Sequence, residues 1–336
     1  RLMLVQKDQD SAKLYATQYD RSLCSIGIVH IGYGAFHRAH QAVYIDDYME
    51  QSGNLNWGIA AVNLRPSEAS AFKHVQDVKN GYLLKTTSPQ GERELRLVRS
   101  HCQFLDWSAD KDSAENLVTL KSVHAITITV TESGYYTDPN GDLNTVDPTI
   151  ATEVAGEEAT SVYGYLRAAL ALRKNSTGAP ITIACCDNIR QNGKMLRRNL
   201  NAYLVACGDT ELAAWVDANA AFPCSMVDRI TPRSPDALGV ELSTLVGSTV
   251  ASPIMAEDFI QWVLQDSKAA DMPDLAQAGV TVTSDVDPYE ETKIRVLNGG
   301  HTGLAYLAAL EGLETFDAAM RVPHLNAHFW NFETKE

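Results

Sequence analysis

The chain lacks an uninterrupted apolar stretch of the ~20 residues that a membrane-spanning helix requires, and its first residues lack the apolar segment of a signal peptide. It also has little positive charge: 28 Lys and Arg stand against 42 Asp and Glu, a net charge of −14. Such an excess of negative charge repels phosphate backbones and anionic lipids, so neither nucleic acid nor membrane is an expected partner. These absences predict a soluble, cytoplasmic protein.

Cysteine is scarce as well. The six cysteines form no Cys-x-x-C pair and no spacing typical of zinc sites, which is the pattern of reduced thiols in a cytosol. His37 and His40 lie three residues apart and could share a helix face, but no carboxylate or thiol stands nearby in sequence to complete a metal site. We therefore expect no bound metal.

What the chain does have is an ordinary globular balance: 336 residues, 45% hydrophobic and 21% charged, enough for two domains. Residues 26–31 form a β-branched run of strand type that leads into a glycine turn, a helical pattern over residues 39–49 and a second strand over residues 57–62. This βαβ unit predicts a parallel sheet of the Rossmann-type, doubly wound α/β class. Further strands are predicted at residues 81–87, 94–101, 125–130 and 181–186, and helices at residues 113–120, 159–173 and 193–206.

The pattern changes near residue 209. We predict a dinucleotide-binding Rossmann domain over residues 20–205 and a mainly helical substrate domain over residues 215–336. A long helix-like stretch, residues 289–313, is interrupted by glycines. Strands between residues 250 and 283 could return to the first sheet, which leaves this boundary open.

The glycine turn is the first candidate site. In Gly32-Tyr33-Gly34, a turn between strand and helix lets backbone N–H groups approach a pyrophosphate. The third glycine of the usual fingerprint is absent, and Arg38 is a candidate source of positive charge there. A plain tight turn remains the alternative, because a bare Gly-x-Gly is a weak signal.

The end of the second strand should contact the adenine-side ribose, where NAD-binding proteins place an acidic residue. Here the sequence offers Asn63 and Arg65. Asn63 can bond a ribose hydroxyl, whereas Arg65 suits the extra phosphate of NADP, so both cofactors stay open. Simple loop closure by both residues is the alternative.

Residues 290–301 form the most informative segment. At ~100° per helical residue, with Lys293 at zero, Glu290 lies near ~60°, His301 near ~80° and Asn298 near ~140°. An amine base, a carboxylate, an amide and an imidazole on one face suit oxidation of an alcohol. An ordinary solvated face is the alternative. The paired glycines after Asn298 indicate instead that something approaches the backbone closely.

A second cluster follows the strand at residues 181–186. Ligands of open α/β sheets bind outside the carboxyl ends of the strands, so Asn188 is expected to face the cofactor. The alternative, an Asx turn that caps the next helix, suits Asn192 and Gly193 better than Asn188.

With these segments the chain resembles the polyol-specific long-chain dehydrogenases, the family of mannitol 2-dehydrogenase, arabinitol 4-dehydrogenase and the fructuronate and tagaturonate reductases. The resemblance runs from residue 28 to the C-terminus. The motifs are Gly32-x-Gly34-x-Phe36-His37-Arg38-Ala39-His40-Gln41, Thr129-Val130-Thr131-Glu132-x-Gly134-Tyr135, Cys186-Asp187-Asn188-x-x-x-Asn192-Gly193, Met226-Val227-Asp228-Arg229-Ile230-Thr231-Pro232 and Lys293-x-x-x-x-Asn298-x-x-His301.

The resemblance implies a metal-independent oxidation of a sugar alcohol at a secondary carbon, with hydride passing to NAD or NADP. It implies Lys293 as general base, Asn188 and Asn298 as the amides that hold the alkoxide, and His301 as the residue that orients substrate. Asp228 would contact a substrate hydroxyl, and Glu290 would link the lysine to solvent. The cofactor-binding set is Gly32, Gly34, Ala35, Phe36, Arg38, Asn63 and Arg65.

The expected reaction pair is a five- or six-carbon alditol and its ketose. A hexuronate reductase of the same family is the nearest alternative. The β-hydroxyacid dehydrogenases use a similar Lys and Asn at shorter spacing without the His, and a nucleotide-sensing module would not need Lys293, Asn298 and His301 together. Family members continue well past residue 336, so we expect part of the substrate pocket to be missing. The residues indicate no oligomeric state.

Overall fold

The computed structural model describes residues 3–5, 12–76 and 81–335. It separates into two compact units, Arg1–Ser284 and Asp285–Glu336. The strands of the first unit are β1 (Met3–Val5), β2 (Ala12–Ala16), β3 (Ile26–Ile31), β4 (Gly58–Asn63), β5 (Tyr82–Thr87), β6 (Arg93–Val98), β7 (His101–Asp106), β8 (Ala125–Ile128), β9 (Ile181–Cys185), β10 (Ala220–Ala221), β11 (Ser225–Asp228), β12 (Ile254–Glu257), β13 (Gln261–Gln265) and β14 (Thr281–Thr283).

The α-helices of the first unit cover the strands. They are α1 (Ala35–Ala39), α2 (Gln41–Ser52), α3 (Ala69–Gln76), α4 (Lys111–Asn116), α5 (Pro148–Val154), α6 (Val162–Ser176), α7 (Asn192–Ala206), α8 (Thr210–Asn219) and α9 (Ala237–Val246). Short 3₁₀ turns occupy Arg21–Leu23, Pro66–Glu68, Leu117–Thr119, Glu132–Tyr135 and Leu275–Ala278.

The central sheet has six parallel strands in the order β10-β9-β8-β3-β4-β7. Strands β4, β8 and β9 are buried along their whole length, which is typical of parallel strands covered by helices on both faces. Read from β7, the order is that of a Rossmann fold, with the reversal between β3 and β8. The predicted fold class is confirmed.

Two predicted elements differ in the structure. The strand expected at residues 94–101 is β6, which pairs with β5, followed by β7, which pairs with β4 in the central sheet. Between them the Ser100 hydroxyl donates to the carbonyl of Ala42 at 2.8 Å, and the chain crosses from one sheet to the other. The helix expected at residues 39–49 is α2 and begins at Gln41, because His40 has non-helical backbone angles (φ −122°, ψ −92°) and separates it from α1, which ends at Ala39.

The structure places the division between units later than residues 205–215. The reason is that residues 220–284 complete sheets of the first unit: β10 pairs with β9, and β12 pairs with β5. Strands β11, β13 and β14 form a third sheet, whose Trp262 and Leu264 share a hydrophobic core with Tyr44 of α2. Of the strands between residues 250 and 283, β12 therefore joins the sheet that contains β5 and β6, and β13 and β14 join the third sheet. These strands do not return to the central sheet.

The second unit is helical. It contains α10 (Asp287–Thr292), a π-helical segment (Lys293–Asn298), α11 (Gly299–Leu310), α12 (Phe316–Met320) and α13 (Pro323–Lys335). Leu304 and Ala308 of α11 form its small core with Ala319 of α12 and Leu325 of α13.

Candidate active site

The glycine turn after β3 has two glycines with different requirements. Gly32 has a φ of +94°, and a Cβ there would overlap the carbonyl oxygen of Thr129, so the chain itself demands glycine. Around Gly34, in contrast, no atom lies within 4 Å of where a Cβ would stand. A side chain at Gly34 would project into open space beside the turn. This is the cradle that a close-lying dinucleotide backbone requires, so the turn fits such a cofactor.

An open groove of about 650 Å³ lies at this turn. It is formed by residues that follow β3, β4 and β8 and by the start of α6, at the carboxyl ends of the strands where the strand order reverses. This is where Rossmann folds bind their ligands. The lining residues are Gly32, Gly34, Asn63, Leu64, Arg65, Glu68, Thr129, Val130, Thr131, Gly134, Tyr136, Thr160, Ser161 and Val162.

Four of the predicted cofactor residues line the groove, but Ala35, Phe36 and Arg38 do not. Arg38 is buried, with its guanidinium 4.5 Å from the centre of the Tyr82 ring and bonded to the carbonyl of Ser252. The guanidinium thus packs on an aromatic ring of β5. The structure does not place Arg38 in the groove, contrary to the expectation that it supplies positive charge for a phosphate.

Asn63 is buried, and its amide is committed to the chain. Its Nδ2 donates to the carbonyl of Arg65 and to Asp106 Oδ1, both at 3.0 Å, while its Oδ1 accepts the N–H of Arg65 at 3.3 Å. These bonds favour the loop-closing alternative for Asn63. Arg65, in contrast, is half exposed on the groove rim.

Glu68 is a groove residue that the sequence did not single out. Its Oε1 lies 3.4 Å from Arg65 Nη1. It follows the strand end by five residues, on a 3₁₀ turn that begins with a proline, Pro66. Glu68 is thus the acidic side chain that lines the groove after β4, on this turn and not at the strand end itself.

The helix α6 was predicted, but not that the residues at its start, Thr160, Ser161 and Val162, line the groove. Glu153, almost fully buried, accepts the backbone N–H groups of Thr160 and Ser161 at 2.7 Å each and the Tyr203 hydroxyl at 2.7 Å. This carboxylate fixes the segment that closes one side of the groove. Serine is a preferred N-cap residue, so Ser161 is the sequence signal for the start of α6, and its hydroxyl accepts the N–H of Gly164.

Asn188 and Asp228 lie in the same unit as the groove without lining it. Asn188 is exposed just after β9, next to β8 in the sheet, and Asp228 ends β11. Asn192 does not form the Asx-turn cap that was its alternative, because α7 has Gln191 as its N-cap residue and no side-chain cap hydrogen bond. The Asn192 amide links α7 to β11 instead: its Nδ2 donates to the Ser225 carbonyl at 2.8 Å, and its Oδ1 accepts the Ser225 N–H at 2.9 Å.

The other predicted catalytic residues lie in the second unit. Glu290 and Lys293 retain only 5% and 7% of their accessible surface, Asn298 is partly buried and His301 is exposed. The His301 ring stacks on Phe316, with 4.8 Å between ring centres. The four residues between Lys293 and Asn298 are all exposed, whereas Lys293 itself is buried, so an ordinary solvated position does not describe Lys293.

The helix geometry at this segment differs from the α-helix assumed above. The N–H of Gly299 bonds the carbonyl of Ile294, five residues back, as in a π-helix. Each π turn holds more residues than an α turn, so Lys293 and Asn298 lie closer around the axis than the ~140° of an α-helix. Such π segments inside α-helices occur frequently at functional sites.

The paired glycines have a packing explanation. A Cβ on Gly300 would overlap Glu333 Oε1 and would lie 2.9 Å from a ring carbon of Phe329, both on α13. The close approach inferred from the sequence is thus made by a neighbouring helix of the same unit. Gly299 has only ordinary contacts at this distance.

Two absences hold for the described ranges 3–5, 12–76 and 81–335 alone. In them, no group of three or more His, Cys, Asp or Glu residues is arranged to hold a metal ion. None of their helices is both long enough and apolar enough to cross a lipid bilayer. His37 is buried, with its Nε2 2.9 Å from His101 Nε2, whereas His40 bonds the carbonyl of Gln261.

Comparison with known proteins gives consistent matches. Residues 26–277 match the mannitol dehydrogenase Rossmann domain, and residues 285–336 match the mannitol dehydrogenase C-terminal domain. A D-arabinitol 4-dehydrogenase of Ralstonia nicotianae is 38% identical over 296 residues, which cover 88% of this chain and 63% of the relative. A mannitol 2-dehydrogenase of Pyrenophora tritici-repentis is 38% identical over 302 residues, 88% of this chain and 53% of the relative.

The solved structures agree. A ternary complex of Pseudomonas fluorescens mannitol 2-dehydrogenase with NAD and D-mannitol superposes with a TM-score of 0.88 at 33% identity, over 96% of this chain and 66% of that one. The chain therefore spans between about half and two thirds of the length of these relatives. Both domain matches and these identities confirm the family that the motifs indicated: the chain belongs to the mannitol dehydrogenase family.

Proposed function

We propose that the protein is a cytoplasmic polyol dehydrogenase that transfers hydride between NAD and a secondary alcohol of a five- or six-carbon sugar alcohol, giving the ketose. The observation that carries the proposal is the groove at the strand-order reversal, where the space beside Gly34 is open and a cofactor can approach the backbone. The names of the relatives support a polyol substrate, and the complex of one relative with NAD supports the cofactor. The six free cysteines suit a reducing compartment.

The cofactor proposal rests on the groove rim. Glu68 provides a carboxylate that can accept hydrogen bonds from ribose hydroxyls, as NAD-binding folds require, and it repels an added phosphate. Arg65 carries the opposite preference but is paired with Glu68. We therefore propose NAD as the preferred cofactor.

The catalytic proposal assigns proton transfer to the second unit. Bound NAD would supply the hydride acceptor. Lys293, nearly buried, would take the proton from the reacting hydroxyl, and Glu290, one helical turn earlier, would pass that proton on toward solvent. Asn298 shares the π segment with Lys293, and its amide would donate to the developing alkoxide. The resemblance gives Asn188 of the first unit the same role. We propose that His301 and Asp228 orient the substrate hydroxyls.

The arabinitol and mannitol dehydrogenases among the relatives favour an alditol over a sugar acid as the substrate. A purely nucleotide-sensing role would leave two buried ionisable residues, Glu290 of α10 and Lys293 of the π segment, without a function.

The test is a substrate panel on the full-length protein. Mannitol, arabinitol, sorbitol and mannonate are each incubated with NAD and with NADP, and the reduced cofactor is followed by absorbance. We expect NAD-linked oxidation of one or more of the alditols and none of mannonate. In Lys293→Ala, kcat should fall by about 10²- to 10⁴-fold, the usual contribution of a general base, with the Kd for NADH unchanged.

The matched control is Lys335→Ala, which removes an exposed lysine from the same unit and should keep wild-type kcat. Wild-type turnover in Lys293→Ala would contradict the base assignment. Turnover of mannonate in place of the alditols would contradict the substrate class.

A further inference from the structure

Asp187, a partly buried carboxylate that has no assigned part in the reaction, precedes Asn188 and bonds the loop that lines the groove. We infer that Asp187 is a positioning residue: it holds the loop after β8 in the conformation that forms the groove and sets the adjacent Asn188. The inference rests on the proposed function, because it takes the groove to be the NAD site.

Asp187 accepts three hydrogen bonds from the chain that follows β8. Its Oδ2 accepts the N–H of Val130 at 2.8 Å and the hydroxyl of Tyr135 at 2.7 Å, and its Oδ1 accepts the N–H of Thr131 at 3.2 Å. Hydrogen bonds to an ionised acceptor are about twice as strong as neutral ones. The side chain of Asp187, just after the end of β9, thus restrains both ends of the segment from Val130 to Tyr135.

The restrained loop needs such a partner. Thr131 and Tyr136 have φ values of +66° and +47°, which non-glycine residues adopt only when their surroundings over-determine the backbone. Both residues line the groove, together with Val130. Without Asp187 the N–H groups of Val130 and Thr131 lose their acceptor, and we expect the loop to relax toward ordinary backbone angles.

The residue Asp187 is itself held in place through its main chain. Its main-chain carbonyl accepts Asn192 Nδ2 at 3.1 Å, and the same amide is bonded to Ser225 of β11. Cys185, the last residue of β9, donates its thiol to the Tyr135 oxygen at 3.0 Å. Asp187 therefore transmits the rigidity of β9 and β11 to the groove-lining loop.

Stability alone does not explain the charge. Burial raises the pKa of Asp187 above the ordinary aspartate value despite the three hydrogen bonds. A raised pKa in the folded state means that the ionised carboxylate works against folding at neutral pH. An ionised residue retained at such a cost fits a positioning role better than a structural one.

The experiment compares Asp187→Asn with wild type on the full chain. The amide keeps the shape but presents N–H groups to at least one of the three donors. We expect the Kd for NADH to rise at least tenfold and kcat/KM for the polyol to fall about 100-fold, with the urea midpoint unchanged or higher. Exchange of the Val130 and Thr131 amide hydrogens, measured without cofactor, should become at least tenfold faster.

The control is Asp46→Asn, which alters a buried carboxylate on α2 that accepts the Tyr19 hydroxyl at 2.6 Å and does not line the groove. It should change the urea midpoint and leave the Kd for NADH within twofold. If Asp187→Asn binds NADH and turns over like wild type, or if its two amides exchange at the wild-type rate, the inference is overturned while the proposed function stands. If wild type itself binds no NADH, the proposed function fails, and the inference fails with it.

Discussion

Arg65 and Glu68 place opposite charges on one rim of the groove, 3.4 Å apart. Their side chains are 49% and 56% exposed, so the pair itself contributes little to stability and both groups can turn toward a ligand. Under the proposed function, a carboxylate here would accept hydrogen bonds from ribose hydroxyls and a guanidinium would bind an added phosphate, so we propose that the balance between the two decides the cofactor.

We predict that Glu68→Gln raises kcat/KM with NADP relative to NAD by about tenfold, because a like charge near the added phosphate is removed. Arg65→Ala should shift the same ratio toward NAD. The measurement is kcat/KM with each cofactor. The control is Glu132→Gln, which removes an exposed carboxylate beside the groove loop without touching its lining and should leave the ratio at the wild-type value. An unchanged ratio in Glu68→Gln, or preference for NADP in Arg65→Ala, would show that the rim does not select the cofactor.

Sequence predicts a groove residue when the elements that position it are adjacent along the chain. Gly32, Gly34 and Arg65 reach the groove because a strand, a turn and a helix that are adjacent in sequence place them there. Arg38 misses the groove because it packs on Tyr82, a residue of another sheet and 44 positions away. No local pattern reports such a distant ring.

At the scale of elements, the helix that carries Lys293 shows both a success and a limit of pattern reading. The sequence predicted a helix over residues 289–313 with Glu290 and Lys293 on one face. In the structure this stretch is helical, and both residues are buried. The π segment was not predicted, because periodicity assumes a constant angle per residue. The same local view read Gly300 as a ligand approach, whereas α13 packs there.

The two glycines of this helix give a matched test. Gly300→Ala should lower the free energy of unfolding by about 1–3 kcal/mol, because the methyl group has to displace Glu333 and Phe329 of α13. Gly299→Ala meets only ordinary contacts and should be neutral or stabilising by up to about 1 kcal/mol from helix propensity. Urea unfolding of both variants gives the difference. Equal effects of the two substitutions would mean that α13 does not pack against α11 at Gly300.

At the scale of the whole molecule, three histidines from separate elements meet inside the first unit. His30 of β3 stacks on His37 of α1 with ring centres 3.3 Å apart, and His37 bonds His101 of β7. Burial lowers the pKa of His30 to about 3 and lowers the pKa values of His37 and His101 well below the ordinary value. Neither composition nor periodicity predicts this cluster, since its members are brought together only by the complete sheet.

These shifts predict acid sensitivity of the fold. In the folded state the three imidazoles stay neutral, whereas in the unfolded chain they take up protons below about pH 6.5. Their contribution to stability is therefore complete above that pH and is lost as the pH falls toward the lowered folded-state values, by up to roughly 1.4 kcal/mol per pH unit for each histidine. Burial raises the pKa values of Asp46 and Asp187, and these carboxyls act in the opposite sense and reduce the slope.

We expect the free energy of unfolding of wild type, measured in urea from pH 7.5 to pH 5, to stay nearly constant down to about pH 6.5 and to fall below that pH. His37→Phe keeps an aromatic ring against His30 but removes one titrating group, so its slope against pH should be visibly shallower. His74→Gln removes an exposed histidine of α3 and should keep the wild-type slope. A wild-type stability that is flat between pH 7 and pH 5, or equal slopes for wild type and His37→Phe, would show that the buried imidazoles do not control the acid limit of this fold.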